Sequence, residues 1–118
     1  MKLSSAEWEI MQQVWAMEQP VTAAQLAERL RQKGWKPSTL LTFLTRMVQK
    51  GALQVQKQGK QNLYSACITD EAYRAGEVQE LLGRFYSGSV KTMVAALYDG
   101  QKLSKQELDE LRAWLETR

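Results

Sequence analysis

The chain is 118 residues long, carries 16 Lys and Arg against 13 Asp and Glu, and contains one cysteine, Cys67, and no histidine. That inventory excludes an intramolecular disulfide, a single-chain Cys/His zinc site and any nucleophile–histidine pair. No paired carboxylates in an apolar setting take their place, so no catalytic residue, metal or cofactor is expected and the chain does not read as an enzyme. Its length suits one domain, or a small domain with a helical appendage. No run of ~20 apolar residues suggests membrane insertion, and the N-terminal "MKLSSAEWEIM" has no apolar leader core. The expected compartment is the cytoplasm.

The first segment, "SSAEWEIMQQVWAM", opens on a capping-box pattern: Ser4 three residues before Glu7, or Ser5 as the cap itself. Trp8, Met11, Val14 and Trp15 fall on one helical stripe, which reads as core, and Glu18-Gln19-Pro20 ends it. Pro20-Val21 reads as a short extended piece and Thr22 as the cap of a second helix. Ala23, Leu26, Ala27 and Leu30 give that helix a narrow apolar stripe, and Lys33-Gly34 marks its end.

"GWKPSTLLTFLTRMVQKGAL" predicts a third helix entered through Trp35-Lys36-Pro37-Ser38 and closed by Gly51. Leu40, Leu44, Met47 and Val48 form its core face. Thr39, Thr42, Arg46 and Gln49 form the opposite polar face, with Thr45 nearer the flank. The period then changes to 2. "ALQVQKQGKQNLYSACI" predicts a two-stranded hairpin turning at Gln58-Gly59-Lys60. Three amphipathic segments follow, carrying Val78, Leu81, Leu82 and Phe85, then Val90, Met93, Val94 and Leu97, then Leu108, Leu111 and Leu115.

Charge is distributed unevenly. Residues 1–68 have a net charge of +5 and residues 69–118 a net of −2. From Arg29 to Lys60 there are eight bases (Arg29, Arg31, Lys33, Lys36, Arg46, Lys50, Lys57, Lys60) and no acid. Such a block suits a polyanion, although a solvated basic face produces the same pattern.

The order helix, short strand, helix, tight turn, helix and hairpin is that of a winged helix-turn-helix, in which the third helix enters the major groove and the hairpin tip reaches flanking backbone. The expected fold is therefore mostly α with a small β-hairpin: a winged-helix DNA-binding domain at 1–68 and a three-helix dimerisation region at 69–118. The expected DNA-binding residues are Lys36, Ser38, Thr39, Thr42, Thr45, Arg46, Lys50, Lys57 and Lys60. Threonine suits a groove-facing helix because it is short, can donate to phosphate or base edges, and carries a methyl that meets thymine. Three threonines within seven positions are a poor choice for helix stability alone. The C-terminal segments carry more apolar surface than a winged helix needs to cover itself, and packing into one larger helical domain or pairing with a twin chain would bury it. The expectation is a homodimer that sets two recognition helices ~34–36 Å apart on a palindromic duplex operator.

"LSSAEWEIMQQVWAMEQPVTAAQLAERL", "WKPSTLLTFLTRMVQKGAL", "GKQNLYSACITDEAY" and "FYSGSVKTMVAALYDGQKLSKQELDELRAWLE" together resemble the BlaI/MecI family of penicillinase repressors over nearly the whole chain. The resemblance implies a homodimeric repressor that is inactivated when a membrane-bound sensor metalloprotease leads to its cleavage in the dimerisation region. Two departures stand out. Typical members have a basic residue after the proline that opens the third helix, where this chain has Ser38. Their usual Asn-Phe cleavage pair is matched by Ala96-Leu97. The related copper-responsive CopY repressors end in a cysteine-rich motif, which "ELRAWLETR" lacks.

Two other readings fit parts of the sequence. In one, a winged-helix adaptor meets an acidic protein partner through the basic block. In the other, a small-molecule sensor uses Trp35, Trp114 and the methionines, residue types that more often build core.

Overall fold

The structure is a computed structural model that describes all residues from Met1 to Arg118. The chain divides into two compact units, Met1–Tyr73 and Arg74–Arg118.

The first unit is a winged helix. Helix α1 (Ser5–Ala16) starts on a capping box in which the Ser4 hydroxyl accepts from the Glu7 N–H and the Glu7 carboxylate accepts from the Ser4 N–H. Its buried line is Glu7, Ile10, Met11 and Val14. Trp8 and Trp15, expected on the stripe, lie at its margin and are half-buried. The face is broad because α1 meets α2, α3 and the sheet at once.

Thr22 caps α2 (Ala23–Arg29) through a second box with Gln25. Leu26 and Leu30 are buried while Ala27 is exposed. A single 3-10 turn, Arg31–Lys33, and Gly34 in the left-handed region (φ 69°) lead the chain away from α2. Helix α3 (Pro37–Lys50) has Pro37 in its first turn, where no N–H is needed. Its C-cap Gly51 takes φ 86°, so the chain can reverse at once into the hairpin. Leu40, Leu44 and Met47 anchor α3 in the core.

The hairpin is β2 (Leu53–Gln58) and β3 (Gln61–Ala66), turning on Gly59 (φ 64°) and Lys60 with Gln58 opposite Gln61. The sheet has three strands rather than the expected two. β1 (Val21–Thr22) pairs antiparallel with β3, placing Val21 opposite Tyr64, and the strand order is β1-β3-β2. A two-residue strand has no periodicity to read, so only its extended character was legible. The mostly helical fold class with a small sheet is as expected.

The second unit consists of the body of α4 (Asp70–Tyr86), α5 (Val90–Asp99) and α6 (Lys105–Glu116). Ser89 caps α5 by accepting from the Thr92 N–H, and Ser104 and Glu107 form the expected capping box on α6. No residue of α5 or α6 is buried. No helix is long and apolar enough to cross a membrane.

The first unit runs past the expected boundary at residue 68. Tyr73, in the first turns of α4, is buried against it. Its ring stacks on Trp8 (5.4 Å between centroids), and its hydroxyl accepts from the Leu3 N–H at 3.1 Å. The Trp15 indole N–H donates to the Ile68 carbonyl at 2.9 Å, tying down the same stretch. Sequence periodicity assigned Tyr73 to the helical appendage because its helix continues there, and the contact that captures it is non-local.

Candidate nucleic-acid interface

Opposite the buried line of α3, Ser38, Thr42, Thr45 and Gln49 recur at i, i+4, i+7 and i+11, and all four are exposed. Leu41 and Arg46 flank this row and are also exposed. Thr39 is half-buried. The order expected along the polar face is therefore rotated: Thr45 lies in the outward row and Thr39 at its margin. The axis of burial is set by Leu40, Leu44 and Met47, while Val48, counted with the core at the sequence level, is only half-buried.

The two outward threonines use their hydroxyl protons within the helix. Thr42 Oγ1 donates to the Ser38 carbonyl and Thr45 Oγ1 to the Leu41 carbonyl, each at 2.9 Å. Each threonine then has acceptor lone pairs and a γ-methyl left for a partner, but no donor.

Three of the eight bases in the acid-free block are neutralised by acids from outside it. Arg31 pairs with Glu28, Lys33 with Glu9 (2.6 Å) and Lys50 with Glu7 (2.5 Å). Arg29 at the end of α2, Lys36 at the α3 N-cap, Arg46, and Lys57 and Lys60 of the hairpin are exposed and have no carboxylate partner, four of these five lying on α3 and the hairpin. Uncompensated positive charge thus collects on the entry to α3, its outer face and the hairpin tip. Such an arrangement attracts a polyanion and is weakened by salt.

Lys50 is placed differently from the other expected site residues. Its ammonium donates to Glu7 Oε1 (2.5 Å) and to the Lys2 carbonyl (2.9 Å), so it fastens the end of α3 to the start of α1. Burial disfavours the Glu7 carboxylate, but the Lys50 bond and those from the Ser4 N–H and hydroxyl outweigh it and hold its pKa below the usual carboxylate value. A depressed folded-state value means the stabilisation is complete above the unfolded value of about 4.5 and fades as pH falls through the lower folded one. Urea midpoints should therefore fall on acidification below about pH 4.5, and the part of that fall due to Glu7 should be missing in Glu7→Gln. Sequence reading missed this pair because Glu7 looked fully explained as a capping residue.

Trp35 packs edge-on against Phe43, with centroids 5.1 Å apart, and stands among core neighbours. Cys67 is exposed. No group of three or more acidic, Cys or His residues could hold a metal.

The model of the penicillinase repressor family matches residues 3–117. The chain is 32% identical to the penicillinase repressor of Bacillus licheniformis over 98% of its own length and 90% of that protein. It is 30% identical to the methicillin resistance regulatory protein MecI of Staphylococcus aureus strain N315, covering 94% and 90% of the two chains. In three dimensions it is similar to the monomeric form of Bacillus licheniformis BlaI solved in complex with the blaP half-operator. That match has a TM-score of 0.53 at 30% identity and covers 62% of this chain and 89% of that one. The chain belongs to the BlaI/MecI family of penicillinase repressors.

Proposed function

We propose that this protein is a transcriptional repressor that binds duplex DNA through α3 and the β2–β3 hairpin and occupies a palindromic operator as a homodimer in the cytoplasm. The observation that carries this reading is the row Ser38, Thr42, Thr45 and Gln49. It is exposed and free of acids, with the unpaired charges of Lys36 and Arg46 on the same helix and those of Lys57 and Lys60 on the hairpin. The row supplies short polar side chains that can enter a groove, and the bases supply phosphate contacts that set its register. A similar BlaI chain was solved in complex with the blaP half-operator, which supports duplex DNA as the partner here.

Dimerisation rests on the second unit. Val78, Leu81, Phe85, Val90, Leu97, Leu111 and Leu115 are exposed, and Leu82, Met93, Val94 and Leu108 are only half-buried. A second copy of the unit covers this apolar surface, as obligate homodimers do.

Relief of repression is by proteolysis in the second unit at or near Ala96-Leu97, downstream of a membrane-bound sensor metalloprotease. Both residues are exposed on α5. Leu97 belongs to the surface that the second copy covers, so the cut requires that part of the dimer to open locally first. A gene for such a protease beside this one would support the scheme, and its absence would remove the route.

A gel shift of the full chain against mixed genomic fragments tests the function. A repressor retains a subset of fragments at ~0.15 M salt, whereas an adaptor for an acidic protein shows only weak binding that vanishes there. Arg46→Ala should weaken binding across all retained sequences and flatten the log–log salt dependence by about one unit, the signature of one lost phosphate contact.

A further inference from the structure

We propose that Leu41 is a base-reading residue whose side chain meets the C5-methyl of a thymine in the major groove. The proposal rests on the DNA-binding reading above and names the base that part of the α3 face selects. Leu41 is 46% exposed, whereas its neighbours Leu40 and Leu44 are 4% and 0% exposed. It therefore serves no core. A lone exposed leucine needs no explanation, but this one stands beside two exposed threonines whose hydroxyl protons are bound to the carbonyls of Ser38 and Leu41 itself.

Together the leucine side chain and two threonine methyl groups form an apolar strip on the second and third turns of the helix. Polar and basic groups border the strip: Ser38, Arg46 and Gln49. An acidic or merely hydrated partner gains nothing from that strip. In the major groove the apolar feature is the thymine methyl, and the acceptor lone pairs left on Thr42 and Thr45 can face the amino groups of cytosine or adenine. Leu41 has no hydrogen-bonding group, so it distinguishes thymine from cytosine by the methyl alone.

The test begins with an operator selected by the full-length protein from random duplexes. Each thymine of a half-site is then replaced in turn by deoxyuridine, which keeps the pairing and removes only the methyl. At one position the affinity of the unaltered protein should fall about threefold to tenfold. Leu41→Ala should bind the thymine operator with a similar deficit and show no further loss with deoxyuridine at that position. If every deoxyuridine operator binds the unaltered protein as the thymine one does, Leu41 reads no methyl, while the DNA-binding reading stands. If a deoxyuridine loss persists in full in Leu41→Ala, another residue reads the methyl and the assignment to Leu41 is overturned. If no duplex is enriched, the DNA-binding reading fails and takes this inference with it.

Discussion

Lys50→Met is expected to destabilise the first unit by about 2–3 kcal/mol at pH 7, read as a lowered urea midpoint with an unchanged slope. Glu7 is 1% exposed, and one of its oxygens, Oε2, already lacks a hydrogen-bond partner. Removing the ammonium leaves a buried carboxylate held only by Ser4. Breaking a fully buried ion pair costs about 3–5 kcal/mol, and the lower figure here reflects a Lys50 side chain that is 36% exposed. The double variant Glu7→Gln/Lys50→Met should recover most of the loss, because glutamine preserves the capping box and no charge is stranded. If Lys50→Met unfolds with the parent, Lys50 is free to serve as a phosphate contact instead. A loss confined to DNA affinity would show the same thing.

Leu111→Asp/Leu115→Asp should abolish the dimer and reduce operator affinity at least about 100-fold, while a single half-site is bound almost as before. Leu115 is 57% exposed and Phe85 63%, in a unit whose α5 and α6 bury nothing of their own. Two carboxylates placed on that surface must be desolvated in a dimer but stay hydrated in a monomer. Loss of the twin chain removes the second half-site contact, whose effective concentration gives the full operator its advantage. Sedimentation measures the assembly and anisotropy on half and full sites measures the affinity. A variant that remains dimeric would show that these leucines lie outside the interface.

Much of the first unit was legible because its signals are local. Ser4 with Glu7, the Thr22 cap, Pro37 before α3 and Gly51 after it each carry their conformational reason within a few residues. The hairpin was legible from its change of period, although Val55, in phase with the buried Leu53, is 43% exposed on the edge strand β2. What escaped the sequence was non-local. Lys50 reaches Glu7 across 43 positions, Tyr73 reaches Leu3 across 70, and β1 finds β3 with only two residues.

On α3 the periodicity identified the polar side correctly but not its centre. Thr39 and Thr45 exchange places once the burial of Leu40, Leu44 and Met47 fixes the helix rotation. Ser38 gains weight from that rotation. It heads the outward row, so the helix presents a small polar side chain there rather than a cation.

The central claim is that α3 and the hairpin tip hold duplex DNA. An anisotropy titration of the selected operator at ~0.15 M salt, comparing the parent with Arg46→Ala/Lys57→Ala/Lys60→Ala, tests it most directly. None of these three side chains is buried or ion-paired, so the triple variant should keep its thermal stability. The account predicts a loss of at least about 100-fold in affinity and a salt dependence flatter by about three units per chain. Unchanged operator affinity in a folded triple variant would contradict it.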